Sequence, residues 1–412
     1  MSRVPAPDAP TVLALVQAGG QGSRMDVLTR ERAKPALPFA GSYQLIDIAL
    51  SNLANSGIDD VWVSVQYQAS SLDEHLQSGR PWDLDRTSGG YRRLVPEEGR
   101  GGHPGFSTGN ADDLYRLSDH LRAHEVDLLV LASADQVFRL DLAEVIQQHL
   151  ARGSECTIVT TEVSKRDASH KAVVVSDATG LVTQVLEKPA KPPTGTISAE
   201  VLVFDRELVL DLVDALHREL DGDDEGASGL GDLAEHLLPR LVARGATHAF
   251  ALPGYWRDMG RPEAYLGAHR DLVRGRVDLF DDLGWPMRSN QPDTMPALVR
   301  SGAVIEDSVL APGCVVAGTV RGSVLGPGAL VERDAVVEDS VLLAGARVEA
   351  KARVSTAVLD ESVVVGRGAE VGALHTGRRL RDEDVTLVGR DSVISRRQTI
   401  PVGSRLEPGT TV

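Results

Sequence analysis

Residues 18–35 read AGGQGSRMDVLTRERAKP and follow directly on the aliphatic run Val12–Val16. A short aliphatic run that delivers the chain into glycine is the pattern of a buried strand ending in a loop. Gly19, Gly20 and Gly22 let backbone N–H groups approach an anion with no Cβ in the way. Arg24 and Lys34 supply the positive charge that a polyphosphate needs. From the glycines alone, the plainer alternative is an unliganded turn between a strand and a helix. The stretch lacks the GxxxxGK[ST] of a P-loop, and Met25 stands where G-x-G-x-x-G needs its third glycine. It is a phosphate loop of another kind.

Beyond the loop, up to about Leu272, short apolar runs alternate with amphipathic ones: Val61–Val65 then Leu72–Leu76, Leu114–Leu121 then Leu128–Leu131, Leu142–His149 then Cys156–Thr160. This alternation predicts βαβ units and a mostly parallel sheet covered on both faces. Ligands of such sheets bind at the carboxyl ends of strands, where the glycine loop and Ala134-Asp135 both fall. The glycine-rich stretch Arg80–Gly109 and the acidic, glycine-containing Asp221–Gly231 read as surface loops. Leu279–Met295 breaks all periodicity and reads as a linker.

A different pattern follows it. Ser323, Ala329, Ala335, Ser340, Ala346, Ala352, Ala357, Val363 and Ala369 recur every five or six residues, with a net period of 17. Two residues after each comes an aliphatic side chain: Leu325, Val331, Val337, Leu342, Val348, Val354, Leu359, Val365 and Val371. A small residue and an aliphatic at every sixth place is the inward face of a triangular, left-handed parallel β-helix of hexapeptide repeats. A β-sandwich would instead alternate with period 2 between hairpin turns. Acyltransferases with such coils usually carry a catalytic histidine in them, and none occurs between Ala303 and Gly372, so this domain reads as structural or regulatory. The expected division is residues 1–278, a linker at 279–300, and the β-helix at 301–412.

With 412 residues the chain is too long for one ordinary core, and 42% apolar with 25% charged residues is a globular composition. The net charge of −16 argues against nucleic acid or an anionic membrane as partner. Cys156 and Cys314 are too few for a disulfide framework, and SRVPAPDAP at the start has no apolar signal core. No run approaches the roughly 20 apolar residues of a membrane span. A cytoplasmic enzyme is the expectation.

The loop resembles the signature of the sugar-nucleotide pyrophosphorylases, approximately AGGxGxRL, a few residues, LT, then KPxxP. Here it reads Ala18-Gly19-Gly20-Gln21-Gly22-Ser23-Arg24-Met25, Leu28-Thr29 and Lys34-Pro35-Ala36-Leu37-Pro38. Ile46-Asp47-Ile48-Ala49-Leu50-Ser51-Asn52, Asn55-Ser56-Gly57-Ile58 and Gln66-Tyr67-Gln68 extend the likeness to the ADP-glucose pyrophosphorylase branch. The resemblance covers nearly the whole chain. It implies a Rossmann-like nucleotidyltransferase domain ahead of the β-helix, and a reaction in which glucose 1-phosphate attacks the α-phosphorus of ATP, giving ADP-glucose and pyrophosphate for glycogen or another α-glucan. It also implies Mg²⁺, a homotetramer, allosteric sugar-phosphate effectors, and a lid over the nucleotide in Arg80–Gly109.

On the same basis, Asp135 in LLVLASADQ and Asp258 in Tyr255-Trp256-Arg257-Asp258-Met259-Gly260 are the carboxylates for Mg²⁺, a hard cation suited to oxygen ligands. Lys188 of Glu187-Lys188-Pro189 would grip the sugar phosphate, and Glu187 and Ser198 would touch the sugar. Gly109-Asn110-Ala111-Asp112-Asp113 stands where the family has GTADA along the base, with Gln66 nearby. Arg24 and Lys34 would face the departing pyrophosphate. Seen singly, each of these motifs is also an ordinary turn, cap or solvated strand end.

The chain departs from the family pattern at several points. Lys171-Ala172-Val173 stands for AFGV, Ser198-Ala199-Glu200-Val201-Leu202 for SMGIY, Ala134-Asp135-Gln136 for GDH, and Phe106-Ser107-Thr108 replaces the usual tryptophan segment. Asp232-Leu233-Ala234 keeps only the aspartate of DFG. Glu200 puts a carboxylate where no side chain is expected. Two alternatives therefore stay open: a nucleotidyltransferase for another sugar 1-phosphate or another NTP, and a catalytically weak regulatory paralogue.

Overall fold

The structure is a computed structural model that describes residues 9–20, 22–95, 106–220, 228–291, 293–377 and 379–412. Gln21 of the loop signature, the stretch 96–105 within the expected lid, residues 221–227 of the acidic loop and the first eight residues lie outside the described set.

The first domain is built on a nine-stranded sheet. Its centre is parallel: Leu128–Ser133, Val12–Gln17, Asp60–Ser64 and Gly90–Leu94 lie side by side in that order. Along Val12–Gln17 successive side chains go to opposite faces. Ala14 and Val16 enter one apolar cluster, Leu13 and Leu15 another, and all four are fully buried. Burial on both faces is why the run is continuously apolar rather than alternating. The helices Ser70–Leu76 and Leu142–Ala151 and the paired short helices Asn110–Arg116 and Ser118–Arg122 fall in the expected amphipathic stretches, and Leu45–Asn55 is a further helix outside them.

Beyond Leu128–Ser133 the sheet continues with antiparallel pairing, which the βα alternation did not foretell. Thr196–Asp205 pairs antiparallel with Leu128–Ser133 and Cys156–Glu162. Ala172–Ser176 and Val182–Glu187 form an antiparallel hairpin. Its turn closes at Gly180, with φ +86°, a conformation that suits glycine. A separate two-stranded ladder joins Gln136–Phe138 to Trp256–Asp258.

The second domain consists of three six-stranded sheets, all parallel, as in a left-handed parallel β-helix. Val320, Val337, Val354 and Val371 stack in register on one side, and Leu325, Leu342 and Leu359 on another. The small residues of the repeat are buried at the corners. One step is long: Arg347 pairs with Val364, but Val364 pairs with Val393, which releases residues 373–385 as an excursion from the coil.

The two domains share a core. Met25, Leu28, Leu37 and Phe39 cluster with Val341, Leu343, Val358 and Leu387. Beside it Arg32, 4% exposed, donates from Nη2 to Asp360 Oδ1 at 2.7 Å and faces Glu361 at 3.2 Å. Arg30–Glu407 at 3.0 Å and Arg405–Asp26 at 3.2 Å fasten the same segment from outside. Within the stretch expected as a linker, Pro286 and Arg288 are held on the helix Leu45–Asn55, where the Arg288 N–H donates to Ser51 at 2.9 Å and Pro286 O accepts from Asn55 at 3.0 Å. The first β-helix strand, Leu298–Val299, already lies inside the 279–300 span. Among the described residues no helix is long and apolar enough to cross a membrane.

Candidate active site

Two cavities open at the carboxyl ends of the central strands. The larger, about 720 Å³, is lined by Gly19, Gly20, Gln66, Tyr67, Phe106 and Asp113, among others. The smaller, about 240 Å³, holds Arg24, Lys171, Glu187, Lys188, Ser198 and Asp258. Lys34, Asn110, Asp135, Glu200 and Asp232 line both, so the cavities meet at the lysine of KPxxP.

The strand Val12–Gln17 ends with the Ala18 N–H bonded to Ser64 O at 2.8 Å, which sets the start of the glycine loop. A Cβ on Gly19 would lie 2.9 Å from Gln66 Nε2. Gly22 has φ +65°, and a Cβ there would meet Lys34 Cβ at 2.9 Å, so the turn brings the loop down onto Lys34. Beneath the larger cavity Asp113 is buried and accepts from Ser64 Oγ at 2.9 Å, Gln66 Nε2 at 2.9 Å and Gln17 Nε2 at 3.0 Å. Burial nevertheless pushes its carboxyl above the usual range. Gln66 is held from its other side by the Ser107 N–H, donating to Oε1 at 2.8 Å. Tyr67 and Phe106 lie with ring centroids 4.3 Å apart at the cavity wall.

The loop 106–113 is fixed against 228–233. A Cβ on Gly109 would sit 2.3 Å from the Gly231 carbonyl carbon and oxygen, and Gly231 O accepts from the Ala111 N–H at 3.1 Å. Asp112, expected along the base, is fully buried. Its carboxylate accepts from the Thr108 N–H at 2.8 Å and from Arg116 Nε at 3.1 Å, so it braces the loop from behind, and it is Asp113 that faces the cavity.

At the junction, the ladder between Gln136–Phe138 and Trp256–Asp258 pairs Asp258 with Gln136, and the Met259 N–H donates to Asp135 O at 3.2 Å. Two aspartates far apart in sequence are thereby set side by side. Lys34 Nζ is bonded to Asp135 and lies 3.6 Å from Asp258 Oδ1. Lys171 Nζ is bonded to the other Asp258 oxygen, 5.8 Å from the Trp256 ring centroid. Burial works against both charges of the first pair, yet the attraction wins. The Asp135 carboxyl is held at about 2 by Lys34, with help from Ser133, and Lys34 is held above its usual range by Asp135 and Asp258.

Across the smaller cavity Lys188 Nζ sits 2.5 Å from Glu187 Oε1 and 3.5 Å from Asp232 Oδ2. Ser198 Oγ accepts from the Glu200 N–H at 3.1 Å, within the irregular register between Ser198 and Leu202. Burial, opposed by Lys171 and reinforced by Asp135 and Asp258, drives the Glu200 carboxyl up to about 7. Arg24 is exposed at the rim of this cavity.

Of the residues expected from sequence, Gly19, Gly20, Gln66, Gly109, Lys34, Asp135, Asp258, Glu187, Lys188, Ser198 and Arg24 line one cavity or the other. Gly22 and Asp112 support from outside. Lys171, Asp113, Tyr67 and Asp232 line the cavities too but were given no site role from sequence, although Asp232 was read as the retained aspartate of DFG. No local motif marks Lys171, whereas Tyr67 and Asp113 adjoin Gln66 and Asp112 and carried a readable signal.

Among the described residues no three His, Cys, Asp or Glu side chains cluster tightly enough for a complete metal cage. Two adjacent carboxylates, each answered by a lysine ammonium, fit a hard divalent cation that takes its remaining ligands from water and phosphate oxygens. Asp135 and Asp258 are the residues that would hold it.

The family described as "Nucleotidyl transferase" matches residues 13–275, and "GlmU-like, C-terminal hexapeptide" matches residues 297–388. A glucose-1-phosphate adenylyltransferase of Cutibacterium acnes is 34% identical, the alignment covering 95% of this chain and 98% of that protein. Proteins of the same name from Corynebacterium jeikeium and Desulfitobacterium hafniense are 34% and 31% identical over 93% and 97% of this chain, covering 96% and 98% of their own lengths. With nearly two thirds of its residues matched by the first family and 93–97% of its length by these relatives, the chain belongs to the nucleotidyl transferase family, in the group of glucose-1-phosphate adenylyltransferases.

Proposed function

We propose that this protein transfers the adenylyl group of ATP to glucose 1-phosphate, giving ADP-glucose and pyrophosphate for glycogen or another α-glucan. The observation that carries this reading is the position of Lys34, bonded to Asp135 and near Asp258, where the two cavities meet. The base enters the larger cavity beside Tyr67 and Phe106, above Gln66. The triphosphate follows the backbone of Gly19 and Gly20, with Arg24 and Lys34 toward its β and γ groups. In the smaller cavity Lys188 takes the sugar phosphate, while Glu187 and Ser198 take sugar hydroxyls.

A phosphate oxygen of glucose 1-phosphate then attacks the α-phosphorus. The bond from that phosphorus to the α,β-bridging oxygen breaks, and pyrophosphate leaves. The residues act by holding nucleophile and phosphorus in line and by neutralising charge, with no covalent enzyme intermediate. Mg²⁺ on Asp135 and Asp258 would supply further charge neutralisation when bound. The exposed apolar residues of the first β-helix coil, Leu298, Val299 and Val304, favour burial against another chain, and the assembly proposed is a homotetramer; the proposed compartment is the cytoplasm.

The test is pyrophosphate release from ATP, glucose 1-phosphate and Mg²⁺ by wild type and Asp135→Asn. Turnover is expected in the first, with a loss of about 10²–10³-fold in the second at unchanged folding. Silence of the wild type with these substrates overturns the reading.

A further inference from the structure

Two lysines of the smaller cavity come from one hairpin. The last ladder pair between Ala172–Ser176 and Val182–Glu187 joins Glu187 to Ala172, and just beyond it the Lys188 N–H donates to Lys171 O at 3.1 Å. Lys171 and Lys188 therefore stand opposite each other at the open end of the hairpin, and both line the cavity. Like charges opposed across two strands repel, so each needs an anion. Here they are answered separately: Lys188 by Glu187 and Asp232, Lys171 by Asp258.

Asp258 is engaged twice over. One of its oxygens lies 3.6 Å from Lys34 Nζ, and the other is bonded to Lys171. With Asp135 on Lys34, two carboxylates and two ammoniums make a formally balanced group. That balance survives the entry of a divalent cation and a phosphate dianion only if an ammonium gives up its carboxylate and takes the phosphate. Lys34 is the fixed one, its side chain 7% exposed under the glycine loop, whereas that of Lys171 is 21% exposed and opens on the cavity. The Trp256 ring, held by its Nε1–H on Gln136 Oε1 at 2.8 Å, flanks the Lys171 ammonium with its centroid 5.8 Å away. An aromatic face at that range steadies a cation that leaves its carboxylate.

We infer that Lys171 is a second grip on the phosphate of the sugar 1-phosphate: its ammonium sits on Asp258 in the free protein, and moves to the phosphate beside Lys188 when that carboxylate holds a divalent cation. The move needs only rotations of a flexible four-carbon stem. The AFGV and SMGIY patterns have no charge where this chain has Lys171 and Glu200, and both charges line the same cavity. The added ammonium offsets the added carboxylate, which otherwise sets a negative wall before the phosphate. The identity of that phosphate rests on the adenylyltransferase reading, whereas the contest for Asp258 does not.

Two measurements on the full-length protein test this. In titrations with Mn²⁺ and no substrate, followed by the electron paramagnetic resonance of the free ion, Lys171→Met should bind severalfold more tightly than wild type, because no ammonium claims Asp258 Oδ2. Methionine keeps the length of the side chain beside Trp256, and Lys34 stays near Asp258, so folding should be retained. In pyrophosphate release the same variant should raise KM for glucose 1-phosphate about tenfold or more, the loss of one charged hydrogen bond, with KM for ATP little changed. Lys171→Arg, which keeps the charge, should return both readings toward wild type. A folded Lys171→Met with wild-type Mn²⁺ affinity, with wild-type KM for glucose 1-phosphate, or with equal rises in both KM values overturns the inference. A wild type that releases no pyrophosphate sinks the functional reading instead, and the Mn²⁺ titration still decides the lysine: tighter binding by Lys171→Met upholds its claim on Asp258, and equal binding removes it.

Discussion

Glu200 holds φ +52°, a left-handed conformation that costs a residue with a Cβ about 1–2 kcal/mol. It holds it at the junction of the two cavities, where two phosphates must approach each other. A carboxylate there opposes the sugar phosphate. Glu200→Gly relieves the backbone strain but loosens the unfolded chain, so stability should change by less than about 1 kcal/mol. The KM for glucose 1-phosphate is expected to fall severalfold in steady-state assays, because the opposing charge is gone. A collapse of kcat with folding intact would instead give Glu200 a part in the chemistry. The sequence already marked this position as a side chain in place of glycine. What it did not disclose is Lys171, which meets Asp258 only after the hairpin Ala172–Ser176 with Val182–Glu187 has formed.

The segments 106–113 and 228–233 act as one unit, because Gly109 lies directly on the Gly231 backbone. Its φ of −172° is ordinary extended geometry, so the need for glycine is one of space and not of torsion. Gly109→Ala should destabilise by about 1–3 kcal/mol in thermal melts and weaken ATP binding, since Ser107, Asn110 and Asp113 move with the loop. Wild-type melting and ATP affinity would refute the contact. At this scale the glycine loop, the parallel centre and the β-helix were legible, because each rests on local periodicity. The antiparallel flank was not, since Thr196–Asp205 pairs with strands from three places in the chain. The turn of its hairpin, where the Gly180 N–H donates to Asp177 O at 3.0 Å, was not read from the sequence.

Across the whole molecule the decisive contact is Arg32 with Asp360, which no local pattern could reveal. Both side chains are nearly inaccessible, at 5% and 2% exposure. Asp360→Ala leaves the buried Arg32 only the partly exposed Glu361 at 3.2 Å, so it should cost up to about 3–5 kcal/mol in denaturant unfolding. Glu407→Ala, at the exposed Arg30 pair, should cost no more than about 1 kcal/mol. Equal losses from the two variants would contradict this ranking. Arg32 stands two positions before Lys34, so Asp360→Ala should also lower turnover.

That anchor has a bearing on how such an enzyme can be taken apart or recombined. The segment carrying the reactive lysine rests on coils encoded near the other end of the gene, which therefore finish the reaction centre although, among the described residues, they contribute no side chain to it. Truncation after the first domain would leave a catalytic half with an unsupported lysine, and a β-helix borrowed from a relative would have to bring its own match for Arg32.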